Sequence, residues 1–252
     1  MRGFGRALGR WLLAVIVALA LIEVYFIGRI VLMARIDPHS TAFQRSEIWR
    51  LTTQGQGGHW QQQWRDYGRI SDSLKRAVIA SEDDSFVSHD GVDWDALENA
   101  WERNAKAVKQ AEQRAEAARA ALPNGKPPPP RIRGGSTITQ QLAKNLFLSG
   151  ERTLLRKGQE LILTYALEAC LSKRRILELY LNSVEWGQGV FGAEAAAQHY
   201  FHKSAAALSD FEAARLAVML PRPRYFERRP ASPYLAHRAA VIVARMHSAE
   251  LP

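Results

Sequence analysis

One cysteine, Cys170, occurs in 252 residues, which excludes an intramolecular disulfide and any zinc site built from several cysteines. No alternating apolar run is long enough for a convincing sheet, and no repeat of about 20 to 50 residues marks a solenoid. Histidine is sparse, and His199 and His202, three apart on a helical stretch, suit surface or packing roles better than metal ligation. Acidic charge is short: 25 Asp and Glu face 34 Lys and Arg, for a net charge of +9. That excess fits nucleic acid, an anionic bilayer surface or a phosphorylated substrate, and composition alone does not choose among them. At 47% hydrophobic and 23% charged residues, the chain is not disordered as a whole.

The sequence does hold one long apolar segment. Trp11 to Gly28 is apolar except for Glu23 and lies between Arg10 and Arg29. A helix of about 20 residues crosses a hydrocarbon core of about 30 Å, so residues 11–31 are expected to form a transmembrane anchor. Arg2, Arg6 and Arg10 precede it. The positive-inside rule therefore places residues 1–10 in the cytoplasm and the remainder across the membrane, as expected of a single-pass inner-membrane protein with a periplasmic domain. Ala18-Leu19-Ala20 would also fit a signal-peptide cleavage site, but the apolar run continues past it. Glu23 either reaches the outer headgroups or faces a partner helix. This topology disfavours nucleic acid, and the remaining length suffices for one domain.

Residues 32–69 read as a polar, turn-rich, membrane-proximal lead-in, with Gln54-Gly55-Gln56-Gly57-Gly58 at its centre and Trp60 and Trp64 after it. The domain proper is expected over 70–252 and is mainly α. Leu74, Ala77, Val78 and Ile79 recur at helical spacing, as do Trp94, Leu97 and Trp101. Further helices are expected near 137–148, 152–170, 173–182, 191–201, 210–219 and 232–248, with Ser209 and Glu212 as a capping box. Residues 98–122 favour a solvated helix, and Pro127 to Pro130 must leave it. The stretch 98–133 looks like an insertion, either a mobile flap over a binding site or a surface excursion.

Three stretches carry candidate chemistry. Glu82 begins Glu82-Asp83-Asp84-Ser85-Phe86-Val87-Ser88-His89-Asp90-Gly91 and follows the small apolar run Ala77-Val78-Ile79-Ala80. Partial desolvation there would move its pKa toward working pH, as a general base requires. Phe86 reads as a core anchor and His89 as the residue that closes the loop. Gly134-Gly135-Ser136-Thr137 then opens a helix in which Gln140 completes a T-x-x-Q box, and such an N-terminus can offer N–H groups to a phosphate. Arg152, Arg156 and Glu160 are four apart and share a helix face. By itself that is an ordinary surface ladder of ion pairs.

Taken in order behind an anchor, E-D-x-x-F-x-x-H-x-G, G-G-S-T-I-T-Q-Q and R-K-x-x-E resemble the peptidoglycan glycosyltransferases of family 51. Glu178 to Phe201 and Glu212 to Pro223 match two further family motifs, although Arg222 stands where the family often has asparagine. No S-x-x-K, S-x-N or K-T-G occurs, so the chain is similar to members without a transpeptidase half. The resemblance implies a lysozyme-like helical domain with a smaller membrane-facing lobe. It implies polymerisation of lipid II, a lipid-linked disaccharide-pentapeptide, onto a growing glycan with release of undecaprenyl diphosphate. Catalytic roles fall on Glu82 and Glu160. Substrate binding falls on Asp83, Phe86, Ser136, Gln140, Gln141, Lys144, Arg152 and Lys157, with Lys144, Arg152 and Lys157 suited to an anionic leaving group. Some relatives have lysine where this chain has Gln159. A divalent ion, Mg or Mn, beside Glu160 is compatible with the chemistry, but no ligand spacing demands it. Membrane lipid and proteins of cell division or wall synthesis are the partners such an enzyme would meet. A lysozyme-like hydrolase and a catalytically idle membrane scaffold of the division machinery are the competing readings.

Overall fold

The computed structural model describes residues 2–55, 60–121, 135–148 and 153–252. Helix α1, Arg2–Met33, contains a 30-residue segment from Phe4 to Met33 that is long and apolar enough to cross a membrane. Most of it is exposed, but one face of its last turns is not: Ile30 and Met33 are buried. Phe26 meets Phe147 edge-on at 5.3 Å, and the Arg29 guanidinium lies 5.5 Å from the same ring. Arg175 donates from Nε to the Met33 carbonyl at 2.7 Å and pairs with Asp37 at 2.6 Å. The anchor is docked on the domain it carries.

The segment expected to be a polar lead-in is built into the domain instead. Helix α2, Ala42–Thr53, starts in a Thr41/Gln44 capping box, and Gln44 also reaches the Ser183 carbonyl. Strand β1, Gln61–Gln62, pairs in parallel with β3, Val190–Phe191, which pairs antiparallel with β2, Glu185–Gly187, in the order β1-β3-β2. Trp60 packs on Phe191 at 4.6 Å between ring centroids. Asn182 clamps Arg65 by both backbone groups, at 2.8 Å each. Polar composition concealed this packing because its partners lie more than a hundred residues away in sequence.

Helices α3 (Asp72–Glu82), α4 (Trp94–Ala121), α5 (Ile138–Phe147), α6 (Leu154–Cys170) and α7 (Lys173–Ser183) follow. After them come α8 (Ala193–Phe201), α9 (Asp210–Met219), α10 (Pro223–Glu227) and α11 (Pro233–Met246). Side-chain caps from Ser71, Thr137, Thr153, Ser172 and Ser209 start α3, α5, α6, α7 and α9, each accepting an otherwise orphaned N–H. The expected Ser209/Glu212 box is among them. Helix α3 packs on α9 and α11, and α5 packs on α2, α6 and α7. The small residues Ala77, Ala80, Ala213, Ala214 and Ala217 are fully buried and allow close helix approach. Trp186 fills the centre and donates to the Leu216 carbonyl at 3.0 Å. The mainly α architecture agrees with the lysozyme-like expectation. Helix α4 bears out the helical half of the 98–133 stretch, whereas its Pro-rich half lies outside the described residues.

Candidate active site

Glu82 is the last residue of α3. The helix ends because Asp83 leaves helical geometry (φ −163°, ψ 75°), its N–H still bonded to the Ile79 carbonyl. The Asp83 carboxylate is buried and held from two sides, by the Ile138 N–H at 2.9 Å and by His89 Nε2 at 2.9 Å. His89 Nδ1 accepts the Gly91 N–H, so the proton that bonds Asp83 is carried on Nε2. Gly91 turns with φ +86°, and a Cβ there would sit 2.7 Å from Thr164 and 2.9 Å from Glu168. Its carbonyl accepts the Thr137 hydroxyl at 2.6 Å. The loop after Glu82 is thereby bolted to the start of α5 and to the flank of α6.

Glu82 itself is half-buried, and Oε2 accepts a hydrogen bond from Gln141 Nε2 at 3.0 Å. Gln141 Oε1 accepts in turn from the Tyr180 hydroxyl at 3.0 Å. Burial raises the Glu82 pKa and the Asp83 charge adds to that, while the Gln141 bond and the Lys144 charge oppose it. Tyr180 is fully buried, and burial with the two nearby carboxylates lifts it well above its usual 10, so the phenol remains a donor. Glu82, Asp83 and Ser136 border a cleft of about 1030 Å³. Trp94, Asn99 and Arg103 of α4 and Arg245 of α11 also line it.

Other expected residues fall elsewhere. Phe86 is fully buried, 4.7 Å beneath the Lys173 ammonium, so it supports the loop from within. Gln140 is buried and its side chain accepts the Thr137 N–H in a capping box. The α5 N-terminus also differs from the phosphate cradle expected there. The Ile138 N–H serves Asp83 and the Gln140 N–H serves Thr137, because a fixed carboxylate already occupies the positive end of the helix dipole. Lys144 is exposed on the last turn of α5, and Arg152 lies outside the described residues.

Glu160 is buried in α6 and both its oxygens face cations: Arg156 Nη1 at 2.8 Å and the Lys157 ammonium. It is not among the residues that border the cleft, but stands one turn before Thr164, the residue that seats Gly91. Such an enclosure favours an anion close by and disfavours a metal ion. Among the described residues no group of three or more His, Cys, Asp and Glu is placed to hold one. The site residues that sequence reasoning missed are Tyr180, Arg103 and Arg245. Tyr180 sits in an apolar helix pattern where a core role reads identically, and no local signal marks either arginine.

A helical domain with a half-buried carboxylate at a cleft and a second, cation-ringed carboxylate on α6 has the kind of groups that suit chemistry at a glycosidic centre. The family model described as Transglycosylase matches residues 50–114 and 113–247. A biosynthetic peptidoglycan transglycosylase of Herminiimonas arsenicoxydans is 49% identical over 243 residues, covering 96% of this chain and 96% of that protein. One from Bordetella avium is 49% identical over 251 residues, 100% and 98% of the two chains. Another from Paraburkholderia phytofirmans is 48% identical over 247 residues, 96% and 94%. The chain belongs to the transglycosylase family.

Proposed function

We propose that this enzyme elongates peptidoglycan glycan strands from lipid II, with inversion at the anomeric carbon and release of undecaprenyl diphosphate. The observation that carries the mechanism is the Glu82 carboxylate at the cleft, its pKa raised by burial and one oxygen fixed by Gln141. A sugar hydroxyl is a weak nucleophile, so Glu82 takes the proton of the acceptor 4-hydroxyl as attack proceeds. Gln141, steadied by Tyr180, fixes the orientation of that carboxylate. The leaving diphosphate is a stable anion and calls for cations in place of a strong acid. Lys144, Arg152 and Lys157 supply them, with Glu160 holding Lys157 and Arg156 in position. No step is routed through a metal.

Family membership and the cation-ringed Glu160 support a diphosphate donor over lysozyme-like hydrolysis. The anchor keeps the domain at the surface that presents such a lipid, N-terminus in the cytoplasm and the 70–252 domain in the periplasm, beside the proteins of cell division and wall synthesis. Full-length protein given lipid II should yield long glycan on sizing gels and should leave finished cell wall undigested. Shortening of finished wall, or no polymer at all, would refute the proposal.

A further inference from the structure

Glu23, Phe26, Ile30 and Met33 recur at spacings of three and four along α1 and so share one face. This is the face that meets the domain, since Phe26 touches Phe147 and both Ile30 and Met33 are buried. Phe147 ends α5, which packs on α6, and Arg175, which holds the Met33 carbonyl, lies in the first turn of α7, just past the end of α6. Helix α1 packs on α6. Three polar atoms are buried without a hydrogen-bond partner among the described residues of this region: Glu23 Oε2, Arg156 Nε and Gln159 Nε2. One is an acceptor and two are donors. A carboxylate oxygen buried in an apolar span is disfavoured unless paired, and complementary donors relieve that penalty.

We propose that Glu23 is a positioning residue whose carboxylate pairs with Arg156 and Gln159 and so fastens the anchor to the helix that carries Glu160. Arg156 then bridges two carboxylates, Glu160 through Nη1 at 2.8 Å and Glu23 through Nε. This role rests on Glu160 serving the donor side of the transglycosylase site.

The test is a double-mutant cycle on full-length protein in nanodiscs, with Glu23→Leu, Gln159→Leu and the combined variant, read by both thermal midpoint and polymerisation of lipid II. Leucine makes the anchor more apolar, so membrane insertion persists. Each single change should lower kcat about tenfold with little change in KM, and the double should be no worse than the worse single in either measure. Glu23→Gln, which retains an acceptor, should recover most of the rate. Additive falls in midpoint, with a kcat loss near 100-fold in the double, would overturn the pairing. Coupled midpoints with wild-type kcat in Glu23→Leu would overturn the positioning role. Coupled midpoints in a wild-type chain that polymerises nothing would leave the contact standing and remove the transglycosylase mechanism.

Discussion

At the Glu82 carboxylate, the proposed base, burial and two neighbours set the proton affinity. Burial lifts its pKa, Gln141 fixes one oxygen, and the Lys144 charge limits the rise. Glutamine in its place keeps the shape but cannot accept the hydroxyl proton. Glu82→Gln should therefore lower polymerisation by about 10²- to 10⁴-fold while circular dichroism and lipid binding stay unchanged. Because the carboxylate must be ionised, kcat/KM should climb as pH rises through a pKa above the ordinary 4.5, and the limb should be absent from the residual rate of the Gln variant. Tyr180→Phe removes one bond to Gln141, and a loss of about 1 kcal/mol predicts roughly fivefold slower turnover. Wild-type turnover in that variant would remove Tyr180 from the relay. On the donor side, Lys144→Ala should cost about 10- to 100-fold, the loss expected for one charge-assisted bond. The place of Glu82 at a helix end beside the cleft was legible because it heads an ordered motif with small apolar residues behind it. Tyr180 was not, because a buried tyrosine in Leu-Tyr-Leu-Asn reads the same with or without a polar errand.

Among the elements, most of those that start with a side-chain cap were readable within a residue or two, α2 being the exception. Helices α5, α7 and α9 lie close to the expected 137–148, 173–182 and 210–219, and each begins at a side-chain cap, Thr137, Ser172 and Ser209. Helix α10 and the three short strands escaped notice, since two to five residues are too few to establish a period. Helix α2 escaped for another reason. Its buried Glu47 is paired with Arg50 and Arg224, and Arg224 also holds Glu185, so a polar sequence packs by exchanging charges over long separations. A similar junction fixes α8: Glu194 takes bonds from Arg65, Gln198, Ser204 and the Ala205 N–H. Burial alone would raise its pKa, but those donors outweigh it and hold the value at about 2. A depressed folded pKa means stability that is present above the unfolded value near 4.5 and is lost as pH falls toward 2. Acid titration of the thermal midpoint should show that loss, and Glu194→Gln should flatten it; an unchanged curve would remove Glu194 as its source.

For the molecule as a whole, the sequence marked the apolar N-terminal helix and the helices that follow it but not the joint between them. The apolar length of residues 11–28 is a local property, whereas the burial of Ile30 and Met33 depends on surfaces formed by α5 to α7. A tethered domain could sample the volume above the bilayer and meet substrate as a solute does. A docked one moves only as its helix moves, within the plane of the membrane, and the lipid-borne substrate is confined to that plane as well. Encounter is then a two-dimensional search, governed by how many substrate molecules share a patch of bilayer and not by their number per litre. At fixed bulk amounts of enzyme and lipid II, adding inert phospholipid to the vesicles should slow polymerisation in proportion to the fall in lipid II mole fraction. Diluting the same vesicles with buffer should leave the rate per enzyme unaltered.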